Sequence, residues 1–540
     1  MTDPETLLGC LERAGSTDEG VRFLERDRES FVRYREVFER ATEIAAALAD
    51  RGIGRGHRVG IAVETSPDFY HAFFGVVAAG AVPVSLPLPP RFGKRADYKE
   101  EIAAMLEAAG AEVVLAHRSQ QSRFAAQETR SAWSIDELAS GRRECRGASP
   151  GDLALIQLSS GTTGAPKAIG LTHRQVLGNV REITRVFFAA YPPDRYRHAG
   201  VSWLPLYHDM GLVGAVLTAL ARPGPLTLMR PEEFVARPAR WLEAISRYRA
   251  TISAAPHFAY QFAVDRIRDE ELNGVDLSCW LFALDGAESV TPSTLEGFCR
   301  RFARHGFRRE ALTPVYGLAE ASLAVTFSDP LTPFRWKSFD RRALVEEARA
   351  LSVPPGQGGQ DLVSCGAPLP GFEIRIAGDE PEPLPEAAVG RVLLRGPSIA
   401  SEWLGEEGFL DTGDRGFLLD GELYLFGRSK EIVVLRGRSY APEMIEQSAS
   451  SASGVRPGAV AAVSILTEEG DGLCLLAERG GASGEDADAL AIEDLRAQVV
   501  ARCGVLPDRV VLLEPGSLPR TSSGKIRRRE AARRFTEALG

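Results

Sequence analysis

VGIAVETSPDFYHAFFGVVAAGAVPVSL, residues 59–86, reads as strand, helix, strand. Residues 59–63 form a short β-like apolar run. Ser66-Pro67-Asp68 then opens a helix with an N-cap and a proline at its first position. Gly80 and Pro83 divide the most apolar segment of the chain, 72–88, into the end of that helix and a strand over 81–86. The segment is therefore short for a bilayer span. Upstream, Tyr34, Val37, Phe38, Ala41, Ile44, Ala45 and Leu48 recur at helical spacing before the stop at Gly52. Downstream, 98–109 reads as a helix and 112–116 as a strand. Strands alternating with helices predict an α/β fold of parallel sheets covered by helices. Gly52-Ile53-Gly54-Arg55-Gly56 precedes a strand instead of opening a helix, which argues against a dinucleotide-binding dehydrogenase.

With 540 residues the chain exceeds one ordinary core, so at least two domains are expected. Its 44% hydrophobic and 25% charged residues are the balance of a globular protein. A net charge of −9 argues against nucleic acid as a partner, because phosphate binding needs excess Lys and Arg. The seven cysteines are scattered, with no C-x-x-C pair, and read as reduced thiols of a cytoplasmic protein. The acidic start Met1-Thr2-Asp3-Pro4-Glu5 lacks a signal-peptide pattern, so neither secretion nor membrane insertion is expected. Residues 353–359 and 378–385 read as loops. Beyond Lys430, short strands over 459–466, 473–477 and 510–513 and a helix over 492–502 suggest an α+β unit of about 110 residues. No internal repeat is evident.

Leu158-Ser159-Ser160-Gly161-Thr162-Thr163-Gly164-Ala165-Pro166-Lys167 follows a strand-like run over 153–158. Its glycines permit tight turns, so N–H groups and hydroxyls can converge on phosphate oxygens, and Lys167 adds a positive charge. It is not a P-loop: only two residues separate Gly164 from Lys167, and Ala168 stands where a magnesium-binding hydroxyl belongs. By itself such a stretch reads equally well as a flexible loop.

Together with five later segments, this string resembles the phosphate loop of the acyl-adenylate-forming superfamily of acyl-CoA synthetases, luciferases and peptide-synthetase adenylation domains. Asp285-Gly286-Ala287-Glu288 resembles the loop along adenine. Tyr316-Gly317-Leu318-Ala319-Glu320 resembles the segment whose ring stacks on adenine and whose glutamate holds magnesium. Asp411-Thr412-Gly413-Asp414 is similar to the ribose-binding segment, and Gly427-Arg428-Ser429-Lys430 to the ribose-contacting arginine and the hinge. Pro519-Arg520-Thr521-Ser522-Ser523-Gly524-Lys525 resembles the loop that delivers a catalytic lysine. Each piece has a plainer reading in isolation: Asp414 as a solvated carboxylate, Glu320 as a helix N-terminal charge, Lys525 as part of a basic helix face. Six in order favour the superfamily.

The resemblance implies ATP and Mg2+ as cofactors, with Ser159, Ser160, Thr162, Thr163, Gly164 and Lys167 on the pyrophosphate. It likewise places Gly286, Ala287, Glu288, Tyr316, Gly317, Asp414 and Arg428 around the nucleoside, Glu320 on the metal, and Lys525 on the α-phosphate and substrate carboxylate. The chemistry is coherent: a carboxylate attacking a triphosphate joins two anions, so fixed positive charge must stabilise the meeting point. No general base is needed, because the acid is already ionised at neutral pH.

Trp203-Leu204-Pro205-Leu206-Tyr207-His208-Asp209-Met210-Gly211-Leu212 resembles the fatty acyl-AMP ligase branch, which puts His208 between the acyl pocket and the reacting centre. A metal-binding His–Asp pair is the chemical alternative, but no further ligands have matching spacing. Arg247-Tyr248-Arg249-Ala250-Thr251 and Ala255-Pro256-His257-Phe258-Ala259-Tyr260 are also similar, except that His257 stands where that branch commonly has Asn. Met210, Gly211, His257 and Phe258 are the expected acyl-pocket residues. Residues from about 326 to 361, including Ser338-Phe339-Asp340-Arg341, resemble the insertion of that branch, which is associated with poor use of coenzyme A and transfer to a carrier-protein phosphopantetheine thiol. A tolerated surface loop is the plainer alternative. Arg438-Ser439-Tyr440-Ala441-Pro442 departs from the relatives' common Asn-His-Tyr-Pro.

The expectation is an adenylation domain over 1–428 with a β subdomain at its end, and a small mobile domain over 429–540 pivoting at Lys430. The reaction expected is acid plus ATP to acyl-AMP and pyrophosphate, followed by transfer to an acyl carrier protein. Coenzyme A as acceptor and a non-catalytic nucleotide-binding homologue are the alternatives.

Overall fold

The computed structural model describes residues 3–26, 28–88, 98–124, 131–138, 148–160, 166–357, 359–378, 382–405, 407–428, 431, 433–435, 438–467, 470–481, 484–520 and 525–535. The opening segment folds as the strand Arg58–Ala62, the helix Pro67–Ala78 and the strand Val82–Ser85, whose two strands pair in parallel. Ser66 occupies the N-cap position, but its hydroxyl donates to the carbonyl of Glu64 at 3.0 Å and does not cap the helix. Helix Tyr34–Asp50 packs on Pro67–Ala78 so closely that a Cβ on Gly75 would lie 2.4 Å from Cγ2 of Ile44. Any larger residue would force these helices apart.

Two large sheets, of six and nine strands, organise most of the chain before residue 370. The six-stranded sheet runs Ser131–Ser134, Val113–Ala116, Arg58–Ala62, Val82–Ser85, Leu153–Ser160, Pro166–Thr172, parallel except for the last pair. In the nine-stranded sheet, Leu312–Gly317, Phe282–Gly286, Ile252–Pro256, Gly200–Ser202, Leu226–Met229 and Gly20–Glu25 are parallel neighbours, with antiparallel strands at both edges. One apolar core joins these layers through Ile44, Phe73, Leu177 and Val213 from four helical segments. A four-stranded antiparallel sheet, Glu373–Ala377, Gly390–Arg395, Leu410–Leu419 and Glu422–Arg428, follows. The fold is thus the α/β arrangement that the alternation of elements predicts, with the β-rich region expected at the end of the large domain.

Within the insertion-like range, residues 326–327 close a strand of the nine-stranded sheet, Ala324–Phe327. A separate antiparallel sheet of Trp336–Phe339, Ser352–Val353 and Gln360–Val363 comes next. Asp340 caps the helix Arg341–Glu346 by accepting from the Ala343 amide at 2.7 Å. From Val433 onward the chain builds two apolar clusters, one around Ile445, Leu475 and Leu495 and one around Cys474, Leu476 and Ala531. Val345 of the insertion-like segment packs on the first. The helix expected over 492–502 begins earlier, as Glu485–Cys503, because residues 486–490 bury no side chain and so carry no apolar face that marks the start. No helix among the described residues is long and apolar enough to cross a membrane.

His173 opens the helix His173–Ala190, and its Nδ1 accepts the amide of Leu7 at 3.1 Å in a buried site. Burial lowers its pKa to about 4, against the attraction of Asp152. Below pH 6.5 the unfolded chain binds a proton there that the folded chain refuses until about pH 4. Stability therefore falls as pH drops through that window, by up to about 3 kcal/mol from this group. In His173→Gln, denaturant titrations at pH 7 and pH 4.5 should differ less than in the wild type.

Candidate functional site

Three adjacent parallel strands end on one rim, and the residues at or just beyond their carboxyl ends carry the predicted chemistry. Ile252–Pro256 leads into His257 and Phe258, Phe282–Gly286 into Ala287 and Glu288, and Leu312–Gly317 ends with Tyr316 and Gly317. Parallel strands present ligands at this edge because the crossover helices and loops leave a crevice there. Gly317 admits no side chain: a Cβ would lie 1.8 Å from the carbonyl oxygen of Leu323, where the next strand folds back. Ala287 holds a positive φ of 67°, bending the loop over the rim.

The Tyr316 hydroxyl donates to Oδ2 of Asp414 at 2.6 Å, and Nε of Arg428 lies 3.3 Å from Oδ1. Asp414 and Arg428 are cross-strand partners in the antiparallel β region, so register brings this ion pair together. Burial raises the Asp414 pKa, against the pull of Arg428 and of the Tyr316 hydroxyl. Ser159 pairs with Lys167 across the two strands that bracket residues 161–165. Lys167 Nζ reaches Oε1 of Glu320 at 3.2 Å and stands 4.4 Å above the ring of Trp403. Ser160 has described backbone only, and Thr162, Thr163, Gly164 and Lys430 lie outside the described residues.

Lys525 belongs to the same constellation despite its place near the end of the chain. Burial and then the charge of Arg428 push its pKa below the ordinary lysine value, while Glu288, Asp209 and Asp414 pull upward. His208 Nδ1 and Asp209 Oδ1 are 2.6 Å apart, and the Met210 amide donates to the same carboxylate oxygen at 2.7 Å. Although burial opposes it, His208 together with these contacts keeps Asp209 below the usual carboxylate range. Met210 and Gly211 start a π-helical segment, Met210–Leu217, a rare conformation that aims side chains differently from an α-helix.

A cavity of about 2610 Å³ is lined by these polar groups and by an apolar wall including Ile183, Phe187, Val201, Phe258 and Phe262. It can admit a charged nucleotide and a long apolar tail together. Two predicted residues take structural partners. Glu288 Oε2 accepts the Phe258 amide at 2.9 Å at the start of helix His257–Arg266, where free N–H groups favour a carboxylate. His257, buried, spans from Asp285 Oδ2 at 2.7 Å to the Thr291 amide, which donates to Nε2 at 3.1 Å. It braces two walls of the cavity, and its Nδ1–H is the donor to Asp285.

Glu320, the residue expected to meet magnesium, lines the cavity and pairs with Lys167, and no group of three His, Cys, Asp or Glu side chains placed to hold a metal ion occurs among the described residues. That suits a cation held mainly by water and nucleotide phosphates with one protein carboxylate. Asp209, Asp285 and Trp403 join the site beyond the residues expected from sequence; Asp209 and Asp285 lie inside the motifs at 203–212 and 285–288, whereas Trp403 carries no local signal. Trp403→Leu is expected to raise KM for ATP by about threefold to tenfold through loss of the contact under Lys167, as initial rates against ATP would show.

Residues 11–404 match the AMP-binding enzyme family. The chain belongs to it. A medium-chain-fatty-acid–[acyl-carrier-protein] ligase, JamA of Moorena producens, is 32% identical, with 99% of this chain and 96% of that protein covered. A long-chain-fatty-acid–AMP ligase of Mycobacterium marinum, FadD26, is 30% identical over 93% of this chain and 85% of its own length. Among solved structures, one from a study of fatty acyl-adenylate ligases of E. coli and L. pneumophila superposes with a TM-score of 0.90 at 32% identity, covering 99% of this chain and 98% of that one. The α/β fold with its β-rich region is shared with that structure over nearly the whole of both chains.

Proposed function

We propose that this AMP-binding enzyme activates a fatty acid with ATP, releasing pyrophosphate, and passes the acyl group from acyl-AMP to the phosphopantetheine thiol of a carrier protein. The observation that carries the reading is that Lys525, from the far end of the chain, lines the same cavity as Tyr316, Asp414 and Arg428. Lys525 offers its charge to the substrate carboxylate and the α-phosphate oxygens as they approach. Asp414 and Arg428 hold the ribose, Tyr316 stacks on adenine beside Gly286 and Ala287, and Ser159 and Lys167 take the pyrophosphate. Magnesium, held by Glu320, would neutralise phosphate charge when bound. His208 stands between this centre and an acyl pocket of Met210, His257 and Phe258; Gly211, also expected there, does not line the cavity and packs on the Pro205 carbonyl, where a Cβ would lie 2.3 Å from the oxygen. Coulombic stabilisation of this kind gains strength where water is excluded.

Relatives named as fatty-acid ligases of AMP or carrier-protein type support the acid and acceptor assignments, while others named as acyl-CoA synthetase or fatty-acid–CoA ligase keep coenzyme A as the alternative acceptor. The segment 336–363, packed through its helix against the chain beyond Val433, supports the same branch. The proposed boundary lies at 428/429, with Lys430 as pivot. Incubating the purified protein with ATP, magnesium and fatty acids of graded length should yield acyl-AMP by mass spectrometry. Adding either coenzyme A or a holo-carrier protein then identifies the acceptor. Thioester on coenzyme A alone would refute the carrier assignment, and absence of any acyl-AMP would refute the activation step.

A further inference from the structure

Residues 525–528 read Lys-Ile-Arg-Arg, and the two arginines face different parts of the molecule. The backbone around Lys525 is closed on itself: Arg520 and Ile526 form an antiparallel bridge, and the Arg527 amide donates to the Pro519 carbonyl at 2.8 Å. Arg528 then gives a two-pronged contact to Glu446, with both N···O distances 2.7 Å, and also pairs with Glu443 and Glu431. These partners all lie in the chain from 431 onward. Arg528 therefore secures the Lys525 turn to the helix Pro442–Ala449 but does not set where that assembly stands against the nucleotide cleft.

Arg527 reaches the other way. Its guanidinium lies 2.7 Å from Oε1 of Glu101, 426 residues distant in sequence. Glu101 sits on the helix Tyr98–Ala109, whose Ile102, Met105 and Leu106 pack in one apolar cluster with Leu153, Leu158 and Ala168. Those last three residues belong to the strands that bracket residues 161–165, so the helix under Glu101 shares their core. With side-chain exposures of 30% and 20%, the pair is partly shielded from water and ions.

We propose that the Arg527–Glu101 ion pair is a positioning contact for Lys525, registering its turn against the strands that flank the phosphate-binding stretch. The inference rests on the adenylation reading, in which Lys525 must meet the α-phosphate. Both residues line the same cavity, and each acts through the placement of Lys525. A pair of this exposure contributes little to global stability. Rates respond far more steeply than stability, because a shift of about 1 Å in a reacting group costs up to about 100-fold.

The test is a charge swap. Arg527→Glu, Glu101→Arg and the double variant are compared with wild type in single-turnover acyl-AMP formation. In parallel, Lys525 is labelled with an acetylating N-hydroxysuccinimide ester and quantified by peptide mass spectrometry. Each single reversal should slow acyl-AMP formation by about tenfold or more, change KM for ATP by less than about threefold, and speed labelling of Lys525 severalfold. The double variant should recover both readouts to within about threefold of wild type. Singles that match wild type, or a double variant no better than the worse single, overturn the proposal. If a reversal fails to fold, Glu101→Gln supplies the same comparison, with rate and labelling both shifted by about threefold and no change in either counting against the pair. Should no acid yield acyl-AMP while labelling still follows the swap, the adenylation reading falls and the positioning role stands.

Discussion

Lys525→Ala is expected to lower the rate of acyl-AMP formation by about 100- to 1,000-fold while leaving ATP affinity within a few-fold of wild type. The ammonium contributes where two anions approach one another, an interaction that grows toward the transition state and is small in the bound ground state. Single-turnover kinetics against ATP titration separates the two, and an undiminished rate would remove Lys525 from the mechanism. The pH dependence carries a sign as well. Burial and Arg428 depress the Lys525 pKa, so the charged form is lost at lower pH than for an ordinary lysine. Activity should decline as pH rises, with a midpoint below 10.5, and Lys525→Arg should abolish that limb because a guanidinium stays charged. If the wild-type profile stays flat to pH 10.5, a deprotonating Lys525 has no part in the rate.

The second large effect belongs to Asp414. Its two oxygens hold the Tyr316 hydroxyl at 2.6 Å and Arg428 at 3.3 Å, so Asp414→Ala strips a buried phenol and a guanidinium of their acceptor at once. Loss of a charged hydrogen-bond partner costs about 1.5–3 kcal/mol. The expected result is a rise of about 10- to 100-fold in KM for ATP, with a smaller change in kcat. Asp414→Asn, which keeps the shape and one acceptor oxygen, should recover part of the loss. Equal KM values in the wild type and both variants would show that the ribose is held elsewhere.

Much of this site is legible before folding because its members sit in short strings. Glycines, hydroxyls and lysine within 158–167 fit phosphate binding only in company with the later motifs, and Asp411–Asp414 and Gly427-Arg428 lie on consecutive strands whose antiparallel register pairs Asp414 with Arg428. The partners of individual side chains are not legible in this way. Glu288 reads as a nucleotide contact, yet one of its oxygens caps a helix that begins 31 positions earlier in sequence, at His257. His257 reads as pocket lining, yet both ring nitrogens are committed, to Asp285 and Thr291. Trp403 gains meaning only from Lys167 above its ring.

The amino-acid order alone determined the alternation of strands and helices, the chemistry available in each motif and the order in which the motifs occur. Those properties depend on backbone preference and periodicity over a few neighbouring residues. Tertiary structure decided that Lys525 stands among Arg428, Asp209 and Asp414, and that Arg527 reaches Glu101. Such pairings are chosen by the packing of whole layers, which brings together charges hundreds of residues apart whose attraction leaves no trace in local pattern.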